Sequence, residues 1–191
     1  MFSTSIERAL SAAIEAHDGQ VRKGRTPAPY IVHPLHVALM LARWNQDESV
    51  ILAGLMHDVV EDCEEWTVER MADEFGAHVA GIVDELTEDK ACSWEERKRA
   101  GIDKVPHLSP QAATVKACDV IHNLATLLAE LRAHPEQASE TWAGFKGGRE
   151  RTLELASELV EALCQRVEPK VARALRNAHQ ALVDHESAPR G

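Results

Sequence analysis

Four residues of this 191-residue chain have the types and spacing of scattered metal ligands: His33, the adjacent pair His57 and Asp58, and Asp119. Two imidazoles and two carboxylates make a mixed N/O donor set that suits Mn²⁺, Fe²⁺ or Zn²⁺. Such a cation turns bound water into a nucleophile near neutral pH, which is the chemistry of a metal-dependent phosphohydrolase. At 100° per residue, His57, Asp58, Glu61 and Asp62 fall at about 0, 100, 40 and 140°, so one sector of a single helix is expected to carry two ligands and two further acids. Their neighbours Ile51, Leu52, Leu55, Val59 and Val60 are apolar. A helix that buried tolerates four ionisable groups only when they are paired, hydrogen-bonded or bound to a cation. Asp119 and Asn123 are spaced i, i+4 and share a face, which suits Asn123 to orient a water or a phosphate oxygen.

The elements that must position these residues read as helices throughout, because apolar residues recur at helical spacing and no stretch alternates with period two. The expected helices are 5–17, 35–44, 48–61, 68–75, 78–86, 110–132, 150–167 and 170–183. Pro34 and Pro110 open two of them, and Gly19, Gly76 and the stretch 144–148 break the pattern. A basic loop spans the region of 24–29, and the charged segment 87–105 reads as loop or partly exposed helix. The expectation is an all-α, single-domain helical bundle over residues 1–184 with a disordered tail at 185–191.

The core is expected to be aliphatic, since 45% of residues are hydrophobic and 4% aromatic. A net charge of −10 argues against a broad footprint for DNA or RNA, while a local cationic pocket remains compatible with a phosphate-bearing small molecule. Cys63, Cys92, Cys118 and Cys164 form no CxxC pair, which suggests neither a disulfide framework nor a structural zinc site and points to a reducing, cytoplasmic setting. The start lacks a basic leader, and the apolar run 50–56 is too short to span a bilayer, so no membrane association is expected. The apolar periodicity of 153–163 fits either core or a dimer face, which leaves a homo-oligomer open. His17, His36, His78, His107, His134, His179 and His185 lie outside the spaced constellation and read as surface or packing histidines.

The stretches AHDGQVRKG at 16–24, PYIVHP at 29–34, LMHDVVED at 55–62, FGAHV at 75–79, LTEDK at 86–90, ERKR at 96–99 and VKACDVIHNLATL at 115–127 carry a family resemblance. Together they resemble the HD superfamily of metal-dependent phosphohydrolases. Within it they are similar to the hydrolase domain of the RelA/SpoT homologues, in particular the short small alarmone hydrolases of the metazoan SpoT-homologue type. The resemblance implies an all-helical HD fold and one Mn²⁺ held by His33, His57, Asp58 and Asp119, with Zn²⁺ or Fe²⁺ as alternatives. It also implies removal of the 3′-pyrophosphate of (p)ppGpp, the stringent-response alarmone, to give GDP and pyrophosphate. Glu61 and Asp62 would act beside the metal to position water and shuttle its proton, and Asn123 would hold the geometry. Arg22, Lys23, Lys90, Arg97, Lys98 and Arg99 are the expected phosphate clamps, with Arg149 as a shifted equivalent of a family arginine. His122 matches the DxxHN pattern but equally fits a packing role.

The chain departs from the family where a basic residue would follow Asp119 and an Arg would stand two residues beyond Asn123. Val120 and Ala125 occupy those positions, and Thr152 stands where the family places a base-stacking Tyr. Two alternatives stay open: a phosphatase with this same centre acting on another nucleotide, such as NADPH or a nucleoside monophosphate, and a non-catalytic nucleotide or metal sensor.

Overall fold

The structure, a computed structural model, describes residues 2–24 and 28–188. Positions 25–27 of the expected basic loop and 189–191 of the expected tail lie outside the described residues. The regular elements are helices, in order α1 (Thr4–Ala16), α2 (Val32–Arg43), α3 (Glu48–Met56), α4 (Val59–Asp62), α5 (Val68–Phe75), α6 (Ala77–Leu86), α7 (Trp94–Lys104), α8 (Pro110–Ala133), α9 (Ala138–Ala143), α10 (Gly148–Cys164) and α11 (Pro169–Ser187). Among the described residues there is no strand, and backbone pairing outside the helices includes an isolated antiparallel bridge between Val21 and Pro29. The all-α expectation is met.

Local chemistry starts several of these helices. Ser3, Thr67 and Ser109 each accept a backbone N–H from the first turn of α1, α5 and α8, and Ser93 and Glu96 form a reciprocal capping box that opens α7. That box makes an ordered helix of much of the segment expected to be loop or exposed helix.

Two expectations need correction. The single helix 48–61 is interrupted: α3 ends at Met56, His57 and Asp58 form a turn, and α4 restarts at Val59. The helical-wheel argument therefore does not describe how His57 and Asp58 are aimed, because the two sit between helices. Residues 185–187 of the expected disordered tail are helical, since α11 runs to Ser187 and Glu186 is buried in it.

α3 explains where the break falls. It packs against α1, α2, α6 and α8 and is apolar on every side, burying Val50, Leu52, Ala53, Gly54, Leu55 and Met56. Its C-terminal end is thereby delivered to the middle of the bundle. Gly54 permits this, because a Cβ there would stand 2.4 Å from Leu41 Cδ1 and 3.4 Å from Val37 Cγ1 of α2. The long helix α8 packs on α2, α3, α6, α10 and α11 and brings Asp119 and His122 to the same depth. Leu155, Val160 and Leu163 of α10 are buried within the chain, so the apolar face of 153–163 contributes to the core.

Candidate metal centre

His33 comes from the first turn of α2, His57 and Asp58 from the turn after α3, and Asp119 from the middle of α8. His33 Nε2 lies 3.5 Å from Asp58 Oδ2 and 3.3 Å from Asp119 Oδ1, and His57 Nε2 lies 3.3 Å from Asp58 Oδ2. Donor atoms of His33, His57 and Asp58 all fall within 4.8 Å of one another. Both imidazoles and Asp119 are buried.

The proton positions follow from the partners. His57 Nδ1 is 2.9 Å from the Gly54 carbonyl oxygen, which can only accept, so Nδ1 carries the hydrogen. In the neutral ring Nε2 is then a bare lone pair. It is buried without a hydrogen-bond partner and faces an Asp58 oxygen that also offers lone pairs. A cation between these donors removes that conflict, and the N/O donor set fits a divalent transition metal.

Electrostatics keep the donors in ligating form. Burial, the largest influence on His33, lowers its pKa below the usual imidazole value. Burial opposes ionisation of Asp58, but His57, His33 and the Tyr30 hydroxyl outweigh it and hold the carboxyl below its ordinary value. For Asp119 burial is likewise overcome, here by Lys116 and the same two histidines, and the carboxyl is held well below the usual range. Lys116, one turn before Asp119 on α8, donates to Asp119 Oδ2 at 2.9 Å, while Asn123 donates to Oδ1 from one turn later. Burial disfavours the Lys116 cation, yet Asp119 and Glu88 raise its pKa overall.

The two further acids stand at the end of α4, each met by a different group. Glu61 Oε2 accepts from the Glu88 backbone N–H at 3.3 Å, and Oε1 lies 3.5 Å from Arg97 Nη1. Burial and then the Glu88 carboxylate raise the pKa of Glu61, which suits a group that takes up and returns a proton. Asp62 accepts from Lys90 at 2.6 Å.

The expected phosphate clamps fall into distinct places. Arg22 donates to Asn123 Oδ1 at 2.6 Å, which joins the first loop to α8 beside the centre. Arg97 and Lys98 both engage Glu88, at 3.3 and 2.8 Å, so these cations and Lys90 are now held by acids around Glu61 and Asp62. Lys23 is exposed. Arg99 pairs with Glu158 of α10, and Arg149 pairs with the buried Glu186 of α11, so neither is brought to the carboxylates of the centre. Val120 is buried, Ala125 is exposed, and the Thr152 hydroxyl oxygen is buried.

Sequence reasoning missed three neighbours of the site. Lys116 had a readable signal in its i, i+3 spacing to Asp119. Tyr30, whose hydroxyl donates to Asp58 Oδ2 at 2.8 Å, and Glu88, which binds Glu61 through its backbone, act across 28 and 27 residues and left no local pattern. Of the two readings given for His17, surface or packing, the structure takes packing: it is buried with its ring 4.7 Å from that of Tyr30.

An all-helical bundle that gathers two histidines and two aspartates at its centre, with an adjacent His-Asp pair, defines an HD-type fold and site. The family model described as HD domain matches residues 9–150, and the chain belongs to this family. Among curated proteins it is similar to the guanosine-3′,5′-bis(diphosphate) 3′-pyrophosphohydrolase MESH1 of Xenopus tropicalis, 41% identical over 137 residues, which cover 71% of this chain and 74% of that protein. Human MESH1 is 40% identical over 134 residues, covering 69% and 73% of the two chains. Among solved structures, a metazoan orthologue of SpoT described as hydrolysing ppGpp superposes with a TM-score of 0.82 at 27% identity, over 94% of this chain and 96% of that one. A Listeria monocytogenes protein superposes with a TM-score of 0.70 at 28% identity, covering 82% and 99%.

Proposed function

We infer that this chain is a metal-dependent (p)ppGpp 3′-pyrophosphohydrolase that releases pyrophosphate and leaves GDP from ppGpp. The observation that carries the reading is the His57–Asp58 turn, where a buried, unpartnered Nε2 faces carboxylate oxygen within reach of His33. The 41% identity to a MESH1 hydrolase supports the choice of nucleotide. One divalent cation, Mn²⁺ in our reading, held by His33, His57, Asp58 and Asp119, would polarise a phosphoryl oxygen and lower the pKa of the attacking water.

The chain's own residues do the rest. Glu61 takes the proton from the water that attacks the phosphorus attached to the ribose 3′-oxygen. As the P–O3′ bond breaks, the same carboxyl returns the proton to that oxygen, and the water oxygen leaves in the pyrophosphate. Asp62 orients the water, and Asn123, already bonded to Asp119 and Arg22, keeps the approach aligned. Arg22, Lys23, Lys90, Arg97 and Lys98 supply positive charge to the phosphates; the last three exchange their carboxylate partners for substrate oxygens.

Free cysteines and the net charge of −10 support a reducing, cytoplasmic location with a small nucleotide rather than nucleic acid as partner. Among the described residues no helix is long and apolar enough to cross a membrane.

A second reading rests on Ala125, an exposed small side chain where the family pattern has Arg: the same centre would act on another phosphorylated nucleotide, such as NADPH. Product analysis of Mn²⁺-loaded protein against ppGpp, NADPH and deoxynucleoside monophosphates separates the two, with Asp58→Ala as control. Pyrophosphate from ppGpp, lost in the variant, is the expected result. Orthophosphate from NADPH or a monophosphate, with ppGpp untouched, would sink the first reading in favour of the second.

A further inference from the structure

The loop between α1 and α2 begins and ends on itself. Arg22 N–H donates to the Ala28 carbonyl at 2.9 Å, Tyr30 N–H donates to the Gln20 carbonyl at 2.9 Å, and the Val21–Pro29 bridge lies between them. One short unit thus presents Arg22 and Tyr30 together, with the Arg22 guanidinium 5.5 Å from the centre of the Tyr30 ring. Arg22 reaches Asn123 of α8, and Tyr30 reaches the turn after α3. The buried His17 ring also lies against that of Tyr30, 4.7 Å between centres, and His33 meets it edge-on at 6.0 Å.

The hydroxyl of Tyr30 has a single chemical option at its 2.8 Å contact. Asp58 Oδ2 is the atom that both His33 Nε2 and His57 Nε2 approach, and an ionised carboxylate only accepts, so Tyr30 donates. Once the imidazole Nε2 atoms are bare, neither can donate to that oxygen, and the phenol is the donor that still orients it. A phenylalanine would keep the ring contacts with His17 and Arg22; the hydroxyl is explained by Asp58. In metal centres, hydrogen bonds that orient a ligating carboxylate commonly matter tenfold to a hundredfold in metal affinity.

We propose that Tyr30 is a positioning residue for the metal centre, its hydroxyl fixing Asp58 between the two imidazoles and tying that carboxylate to the loop that carries Arg22. The proposal rests on the reading that His33, His57, Asp58 and Asp119 hold the cation. Tyr30 thereby couples metal affinity to the placement of the Arg22 loop, beside the path from Arg22 through Asn123 to Asp119.

The test is Tyr30→Phe, which keeps the ring and removes the donor. Mn²⁺ binding is read by electron paramagnetic resonance of the free ion, and ligand geometry by the visible spectrum of the Co²⁺ form, both on protein whose helical circular dichroism matches wild type. The expected result is Mn²⁺ affinity weakened by about 10- to 100-fold with an altered Co²⁺ spectrum. Affinity within about twofold of wild type and an unchanged spectrum would overturn the positioning role while leaving the metal reading intact. Failure of the wild-type chain to bind Mn²⁺ would instead remove the metal reading and this inference with it.

A second measurement needs no variant. The chain has 1 tyrosine, so [ζ-¹³C]tyrosine labelling gives a signal from Tyr30 alone. That signal is expected to move when Zn²⁺ is loaded, and a signal that stays in place at saturation would count against the proposal even if the variant failed to fold.

Discussion

His33 Nδ1 stands 2.9 Å from His122 Nδ1, and two ring nitrogens at that distance share a hydrogen bond only if one carries a proton and the other does not. For His33 to present a bare Nε2 to the centre, its Nδ1 must be the donor. His122 must then accept at Nδ1, which requires it to be neutral. Its surroundings enforce that: burial first, then the neighbouring His33, Arg22 and His36, push its pKa down to about 4.

This arrangement makes the metal-free protein acid-labile in a defined window. In the unfolded chain His122 takes up its proton near the ordinary value of about 6.5, whereas the folded chain resists until about 4. Between those values the unfolded state binds more protons, so stability is complete above about 6.5 and falls as the pH drops, by about 3 kcal/mol at the lower end. His33, also lowered, adds in the same direction. Melting temperature against pH for wild type and His122→Asn measures this, and the variant should lose much of the slope. Parallel curves would show that His122 is not responsible.

His57 offers the sharpest test of the centre itself, because its buried Nε2 has no hydrogen-bond partner among the described residues. His57→Ala should purify without stoichiometric metal by elemental analysis. Its kcat/KM should fall by about a thousandfold or more, equivalent to about 4 kcal/mol of transition-state stabilisation. A variant that kept both metal and turnover would remove the centre from consideration.

Glu61→Gln should separate proton transfer from metal binding. The amide keeps the shape, though its single carbonyl oxygen can accept from only one of the two donors Arg97 and the Glu88 backbone N–H, so bound metal should be unchanged while kcat drops by about 10²- to 10⁴-fold. Because burial and Glu88 raise the pKa of Glu61, the acid limb of the wild-type pH–rate profile should lie above that of an ordinary carboxylate and disappear in the variant. A profile with the same limb in both proteins would assign that limb to another group.

Gly54→Val tests the close contact that brings α2 and α3 together. Leu41 is fully buried, so a side chain at 54 cannot push it into open space, and overpacking of this kind costs about 1–3 kcal/mol. The same strain separates His33 from His57, so the variant should melt earlier and bind Mn²⁺ more weakly, as thermal denaturation and metal titration would register.

Arg149→Ala distinguishes a structural from a substrate role for that residue. Arg149 bonds both the carboxylate and the backbone carbonyl of Glu186, whose side chain is 2% exposed. The expected effect is a stability loss of about 1.5–3 kcal/mol with KM near wild type. An increase in KM of tenfold or more at unchanged stability would restore the substrate-binding assignment.

Much of this molecule is legible along the chain. The adjacent His57 and Asp58, the PYIVHP stretch and the i, i+4 pair Asp119 and Asn123 point to a metal and to one family, and the helical periodicity of the apolar residues gives the fold class. The misreadings occur where a contact crosses sequence distance. Periodicity continued through Met56 to Val59 because the residues there stay apolar, but the burial of α3 among four helices sets where its end lands, and the chain turns at that point. The partner of Arg149, read from the chain as a shifted equivalent of a family arginine, is likewise set at a distance: Glu186 of α11, 37 residues later.

The sequence by itself determined the donor types, the helical class and the family, because these depend on residue identity and short spacing. Only the tertiary structure decided how the donors are protonated and held. The Gly54 carbonyl sets the tautomer of His57, His122 meets His33 across 89 residues, and Tyr30 reaches Asp58 across 28. The physical reason is that a hydrogen bond acts over about 3 Å in space, and only packing of the helices fixes which distant residues come that close.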